Sequence, residues 1–88
     1  MLRAFIVDDE PLARDELAYI LRRSKRVEVV GEAECIEDAL ADIQILMPDV
    51  VFLDIQLAGG SGLNLAQQLV DLEHQPEIVF ATAYDEYA

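Results

Sequence analysis

Eighty-eight residues with 53% hydrophobic content and a mean hydropathy of +0.22 suffice for one small folded domain, and this composition excludes a disordered chain. Eighteen acidic against six basic residues, a net charge of −12, oppose binding to nucleic acid or to an anionic membrane surface. The single cysteine, Cys35, excludes an internal disulfide, no apolar run reaches membrane-spanning length, and the start MLRAFIVDDEP lacks the parts of a signal peptide, so the expected compartment is the cytoplasm.

In chain order, LRAFIV (2–7) is a short, nearly continuous apolar run, the pattern of a parallel strand covered on both faces. Asp8 and Asp9 end it. Pro11 suits the first turn of a helix whose apolar face would carry Ala13, Leu17, Ile20 and Leu21. The run Arg22, Arg23, Lys25 and Arg26 reads as the positive end of that helix, complementing its dipole. VEVVGEA (27–33) is broken by Glu28 and Glu32, which fits a strand at a sheet edge. Ile36, Ala39, Leu40, Ile43 and Met47 share one face of a second helix, and Pro48 marks the exit from it. DVVFLD (49–54) is a second central strand, ending in Asp54. Ser61 can cap a third helix carrying Leu65, Ala66, Leu69, Val70 and Leu72, and EIVFAT (77–82) follows as a third central strand. The alternation β-α-β-α-β-α-β with right-handed crossovers predicts an α/β fold, a three-layer sandwich around a parallel sheet.

Asp8, Asp9 and Asp54 each stand where a strand stops. Ligands of open α/β sheets bind beyond the carboxyl ends of the strands, so these acids can converge on one rim although they are far apart in sequence. Three carboxylates within a few ångströms repel one another unless a cation sits among them, and Mg²⁺ is the hard ion suited to oxygen ligands. A carboxylate beside such an ion, at a strand end and followed by the loop IQLAGGSG, can act as a covalent nucleophile toward phosphorus.

Four segments in this order, VDDEP (7–11), PDVVFLDIQL (48–57), GGSGL (59–63) and VFATAYDEYA (79–88), resemble the receiver domain of a bacterial two-component response regulator. The resemblance extends over 1–88, and the closing TAYDEYA is similar to receivers that carry a LytTR-type DNA-binding output domain. It implies a flavodoxin-like fold with strand order 2-1-3-4-5. It also implies that Asp54 accepts a phosphoryl group from a phosphohistidine of a sensor histidine kinase. By the same resemblance, Asp9 is a direct Mg²⁺ ligand, Asp8 supports the ion directly or through water, and the backbone carbonyl of Gln56 completes the protein's share of the shell. The Thr82 hydroxyl would turn toward the phosphoryl group and reposition the loop after it. Such a domain is a switch and not a turnover enzyme, and reaches DNA only through its output domain.

Two departures from the family pattern stand out. Ala58 occupies the place where receivers usually carry proline, four residues beyond the phosphoacceptor. Five strands and five helices with their loops need about 120 residues. The fourth helix, fifth strand and fifth helix, with the family's ion-pairing lysine and switch aromatic, are therefore expected to be missing from 1–88. In that case EIVFAT offers an open edge bearing Ile78, Val79, Phe80 and Ala81, and a homo-oligomer built around 77–82 is expected.

Alternatives from other classes are a Mg²⁺-dependent phosphatase of the haloacid-dehalogenase type and a receiver-like interaction module that is never phosphorylated. The first expects a D-x-D signature after the first strand, where this chain reads DDEPL, and an acid two residues past Asp54, where it has Gln56. His74, in the polar stretch EHQPE, reads as a solvated loop residue, and Cys35 as a plain thiol. Tyr84 and Tyr87 suit either a partner surface or packing over the rim. The glycines Gly59, Gly60 and Gly62 lack the spacing and lysine of a P-loop and read as loop flexibility.

Overall fold

The structure is a computed structural model that describes residues 1–57 and 60–81. Its elements are β1 (Leu2–Val7), α1 (Pro11–Ser24), β2 (Val27–Ala33), α2 (Ile36–Leu46), β3 (Val50–Leu53), β4 (Gln56–Leu57), β5 (Gly60–Ser61), α3 (Gly62–Val70) and β6 (Glu77–Phe80). The four long strands form one parallel sheet in the order β2-β1-β3-β6, and the short pair β4 and β5 forms a separate antiparallel ladder. Apart from that ladder, the expected βα alternation is the one observed. The order β2-β1-β3-β6 is the 2-1-3-4 part of the flavodoxin-like arrangement.

Pleat alternation divides the side chains of the sheet between two layers. Phe5 and Val7 of β1 with Val51 and Leu53 of β3 point to one face, where they bury against Ala39 and Ile43 of α2 and Leu65 and Leu69 of α3. Ala4 and Ile6 alternate with them and are equally buried, as is Ala18 of α1, which covers the opposite face. Helices on both faces explain why β1 carries almost no polar residue, since neither side meets water. Gly31 of β2 permits close packing on the first face: a Cβ there would press on the Phe5 ring at 2.7 Å.

The helix ends are built from local chemistry. Pro11 opens α1, and Lys25 closes it in a left-handed conformation, φ 59°, with its N–H donating to the Arg22 carbonyl. Arg22 and Arg23 lie in the last turn, as the basic run predicts, and Arg23 also donates to the Tyr19 hydroxyl at 3.1 Å. α2 ends at Met47, also left-handed at φ 47°, and the Arg3 guanidinium of β1 donates to the Leu46 and Met47 carbonyls at 2.8 and 3.1 Å. That cation answers the negative end of the α2 dipole. Ser61 caps α3 as expected, its hydroxyl oxygen accepting from the Leu63 N–H at 3.1 Å.

Some expected faces are rotated. Ile20 is 56% exposed, and α1 instead turns Arg14, Leu17, Ala18 and Leu21 toward the sheet, the i, i+3, i+4, i+7 set. Met47 is exposed because the left-handed cap swings it off the helix, and Leu46 packs on the core in its place. Val70 is likewise 52% exposed. EIVFAT, central by composition but expected as an open edge where the fifth strand is missing, lies at the outer position of the described sheet, with Val79 and Phe80 each more than two-fifths exposed. VEVVGEA is at the other edge, as its glutamates predict. No described helix is long and apolar enough to cross a membrane.

Candidate functional site

Sheet register brings the three acids together. Val7 of β1 pairs with Leu53 of β3, so the residues that follow, Asp8 and Asp54, leave the sheet side by side. Parallel strands are about 4.8 Å apart, which sets the separation of the two chains at that level. Two backbone bonds continue the ladder past the last residues of the strands. The Asp54 N–H donates to the Val7 carbonyl at 3.0 Å, and the Asp8 N–H donates to the Ala33 carbonyl of β2 at 3.1 Å. Phe80 pairs with Leu53 on the other side, and the Ala81 N–H donates to the Leu53 carbonyl at 2.9 Å. β6 therefore also ends at this rim. Thr82, Ala58 and Gly59 lie outside the described residues, as do Tyr84 and Tyr87.

One carboxylate oxygen from each of Asp8, Asp9 and Asp54 lies within 4.8 Å of the others, and all three side chains are half-buried. Backbone N–H groups orient two of them. The Glu10 N–H donates to Asp8 Oδ1 at 2.9 Å, and the Gln56 N–H donates to Asp54 Oδ1 at 3.2 Å. Each of those carboxylates keeps a second oxygen for another ligand. Burial raises the Asp54 carboxyl above its ordinary value of 3.8; the Gln56 and Ile55 N–H groups oppose the rise, while the negative charges of Asp8 and Asp9 add to it. Burial is the larger cause and the neighbouring carboxylates the smaller, and a cation among the three would offset both. An all-carboxylate donor set suits a hard divalent cation, and Mg²⁺ in particular needs few protein ligands because it retains several waters. The residues present therefore fit the ion.

Gln56 reaches the cluster through its N–H, and it pairs with Ser61 in the β4–β5 ladder. That ladder returns the chain so that Gly62, the first residue of α3, donates its N–H to the Ile55 carbonyl at 2.6 Å. A Cβ at Gly62 would overlap the Asp54 carbonyl oxygen. The reading of Gly62 as loop flexibility is thus corrected: α3 begins pressed against the Asp54 peptide, and only glycine leaves the space. Arg14 is a second residue whose role was not legible beforehand. Its Nη1 donates to the Asp8 carbonyl at 2.7 Å, and its Nε lies 3.4 Å from Glu32 Oε1. His74 is exposed in the turn between α3 and β6, and Cys35 is a free thiol at the start of α2, both as expected.

The model of the response regulator receiver domain matches residues 4–88. The chain is 56% identical over 88 residues to the sensory transduction protein LytT of Bacillus cereus, covering all of this chain and 36% of that protein. It is 48% identical over 88 residues to the transcriptional regulatory protein BtsR of Escherichia coli, with the same coverage. The response regulatory domain of protein mrkE from Klebsiella pneumoniae superposes with a TM-score of 0.84 at 36% identity, over 98% of this chain and 70% of that one. The chain belongs to the response regulator receiver family, and its likeness to LytT bears out the LytTR grouping expected from TAYDEYA. It spans about a third of the length of the curated relatives it matches, 36% of each.

Proposed function

We propose that this receiver takes a phosphoryl group on Asp54 from a phosphohistidine of a sensor histidine kinase and passes the signal to an output domain that binds DNA. The observation that carries the reading is the convergence of Asp8, Asp9 and Asp54 at the carboxyl ends of β1 and β3, within 4.8 Å of one another. Asp9 and Asp54 would hold Mg²⁺ directly, Asp8 directly or through water, and the Gln56 backbone carbonyl would add a further oxygen. Bound there, Mg²⁺ supplies positive charge that offsets the repulsion between three carboxylates and an incoming phosphoryl anion.

The work of the chain itself is to aim and expose the nucleophile. Asp54 follows directly after the buried Leu53, and the Gln56 N–H engages its Oδ1, which keeps a lone pair for the ion, so that Oδ2 is left for attack. A carboxylate oxygen forms the O–P bond while the P–N bond of phosphohistidine breaks, and its electron pair returns to the imidazole. Thr82, one residue beyond the rim position of Ala81, would donate its hydroxyl to a phosphoryl oxygen and bias the following loop. The domain is a switch, modified once per signal, and not a turnover enzyme. Its compartment in this reading is the cytoplasm. Self-association along 77–82 belongs to the same reading.

Incubation with acetyl phosphate, with and without Mg²⁺, followed by intact mass and mapping of the adduct, tests the reading. The expected result is one phosphoryl adduct at Asp54, dependent on Mg²⁺ and lasting minutes. Continuous release of inorganic phosphate without an adduct, or no reaction at all, would overturn it.

A further inference from the structure

We infer that Arg14 is a positioning residue that sets the geometry of the acidic rim by clamping the peptide between Asp8 and Asp9. The inference rests on the functional reading above for its consequence, but its structural content stands on contacts already described.

Arg14 occupies the sheet-facing stripe of α1 beside Leu17, Ala18 and Leu21, and its side chain is only 18% exposed. A guanidinium is costly to place there unless its donors are satisfied. Here they run in two directions, Nη1 to the Asp8 carbonyl at 2.7 Å and Nε to Glu32 Oε1 at 3.4 Å on β2. The rigid fork of arginine meets both at once, which the single ammonium of lysine does not.

The Asp8 carbonyl and the Asp9 N–H belong to one planar peptide unit. Orienting that carbonyl orients the plane, and the plane sets the direction in which the Asp9 Cα leaves the strand. The other end of Asp8 is held by the Ala33 carbonyl, which accepts from its N–H at 3.1 Å, and its carboxylate accepts the Glu10 N–H at 2.9 Å. Those two contacts do not fix the rotation of the Asp8–Asp9 peptide, and the Arg14 bond to its carbonyl does. Glu32 in turn holds the guanidinium in place from the neighbouring strand.

The alternative role for Arg14 is simple neutralisation of nearby acids, and the two roles predict opposite signs. Removing a cation near a cation site strengthens Mg²⁺ binding if only charge matters. Removing a clamp weakens it.

The test compares the full 88-residue chain with Arg14→Lys, Arg14→Gln and Glu32→Gln. Mg²⁺ affinity is measured by calorimetry, and backbone amide shifts and exchange rates at Asp8, Asp9 and Glu10 are measured without metal. The clamp predicts affinity lower by about tenfold in both Arg14 variants, the size typical of lost outer-shell support. It also predicts faster exchange and displaced shifts at Asp9 and Glu10 in the metal-free Arg14 variants, with a smaller displacement in Glu32→Gln. Wild-type amide behaviour at Asp9 and Glu10 in Arg14→Lys would overturn it, as would unchanged or tighter Mg²⁺ binding in Arg14→Gln when the wild-type protein binds the ion. Because the amide measurement needs no metal, it still decides the clamp if wild-type protein binds no Mg²⁺, an outcome that would count against the functional reading alone.

Discussion

Asp54 is the residue at which competing influences are most exposed. Burial raises its carboxyl above 3.8, the Gln56 and Ile55 N–H groups oppose this, and Asp8 and Asp9 add to the rise. A carboxyl raised in the folded state binds its proton more tightly there than in the unfolded chain. Its favourable contribution is complete below the ordinary value of 3.8 and is lost as pH climbs through the raised value. Above that window the ionised Asp54 disfavours the fold until a cation joins it. Asp54→Asn is therefore expected to raise the metal-free thermal midpoint at pH 7 by a few degrees, limited by solvent screening, and to leave it unchanged below the ordinary carboxyl range. Calorimetric scans of both proteins at the two pH values check this, and a clear fall at pH 7 would count against the cluster. Asp9→Ala removes a proposed direct ligand. Mg²⁺-dependent amide shifts at Asp8 and Asp54 should weaken by at least about tenfold in concentration dependence, and equal affinity would remove Asp9 from the site.

At the scale of elements, the junction between β3 and α3 is the tightest part of the rim. The Gly62 N–H donates to the Ile55 carbonyl, while its missing side chain leaves room for the Asp54 carbonyl. Gly62→Ala must move either the first turn of α3 or the peptide that carries Asp54. Overpacking of this kind costs about 1–3 kcal/mol, so the urea midpoint should fall and the amides of Asp54 and Ile55 should shift together. An unchanged midpoint would mean that α3 pivots freely on the sheet. The helices also show how far periodicity reaches. A 3.6-residue repeat identifies α1, α2 and α3 as amphipathic helices. It leaves the rotation of each about its axis uncertain by a residue or two, because neighbouring stripes in this apolar-rich chain look alike. Ile20 falls on the wrong side for that reason, Met47 because the left-handed cap lies beyond what periodicity describes, and Arg14 because a charged residue is ordinarily assigned to the solvent side.

For the whole molecule, the asymmetry of the sheet matters most. β2 closes one edge with Glu28 and Glu32, charges that discourage pairing with another chain. β6 at the other edge carries Ile78, Val79 and Phe80, and among the described residues it pairs with β3 alone. An apolar edge that, among the described residues, pairs on one side only is a template for strand addition, and a two-fold contact would cover it in both copies at once. The 88-residue polypeptide is expected to sediment as a dimer or larger species at tens of micromolar, with amides at 78–81 protected from exchange. A monodisperse monomer with fast exchange there would show that this edge does not pair.

What the sequence alone determined was the order of elements, the parallel sheet with VEVVGEA at an edge, and the candidate acids Asp8, Asp9 and Asp54. Strand composition and the placement of acids at strand ends are local signals, and the register of a parallel sheet follows once those ends are aligned. Only tertiary structure decided what Arg14, Gly62 and Arg3 do. Their roles are a carbonyl six positions back in the chain, a peptide eight positions back, and a helix end 43 and 44 positions away. No residue type or spacing encodes such a partner: the Arg14 and Gly62 contacts exist only once each helix has folded back against the end of its strand, and the Arg3 contacts only once the crossovers have brought separate segments together.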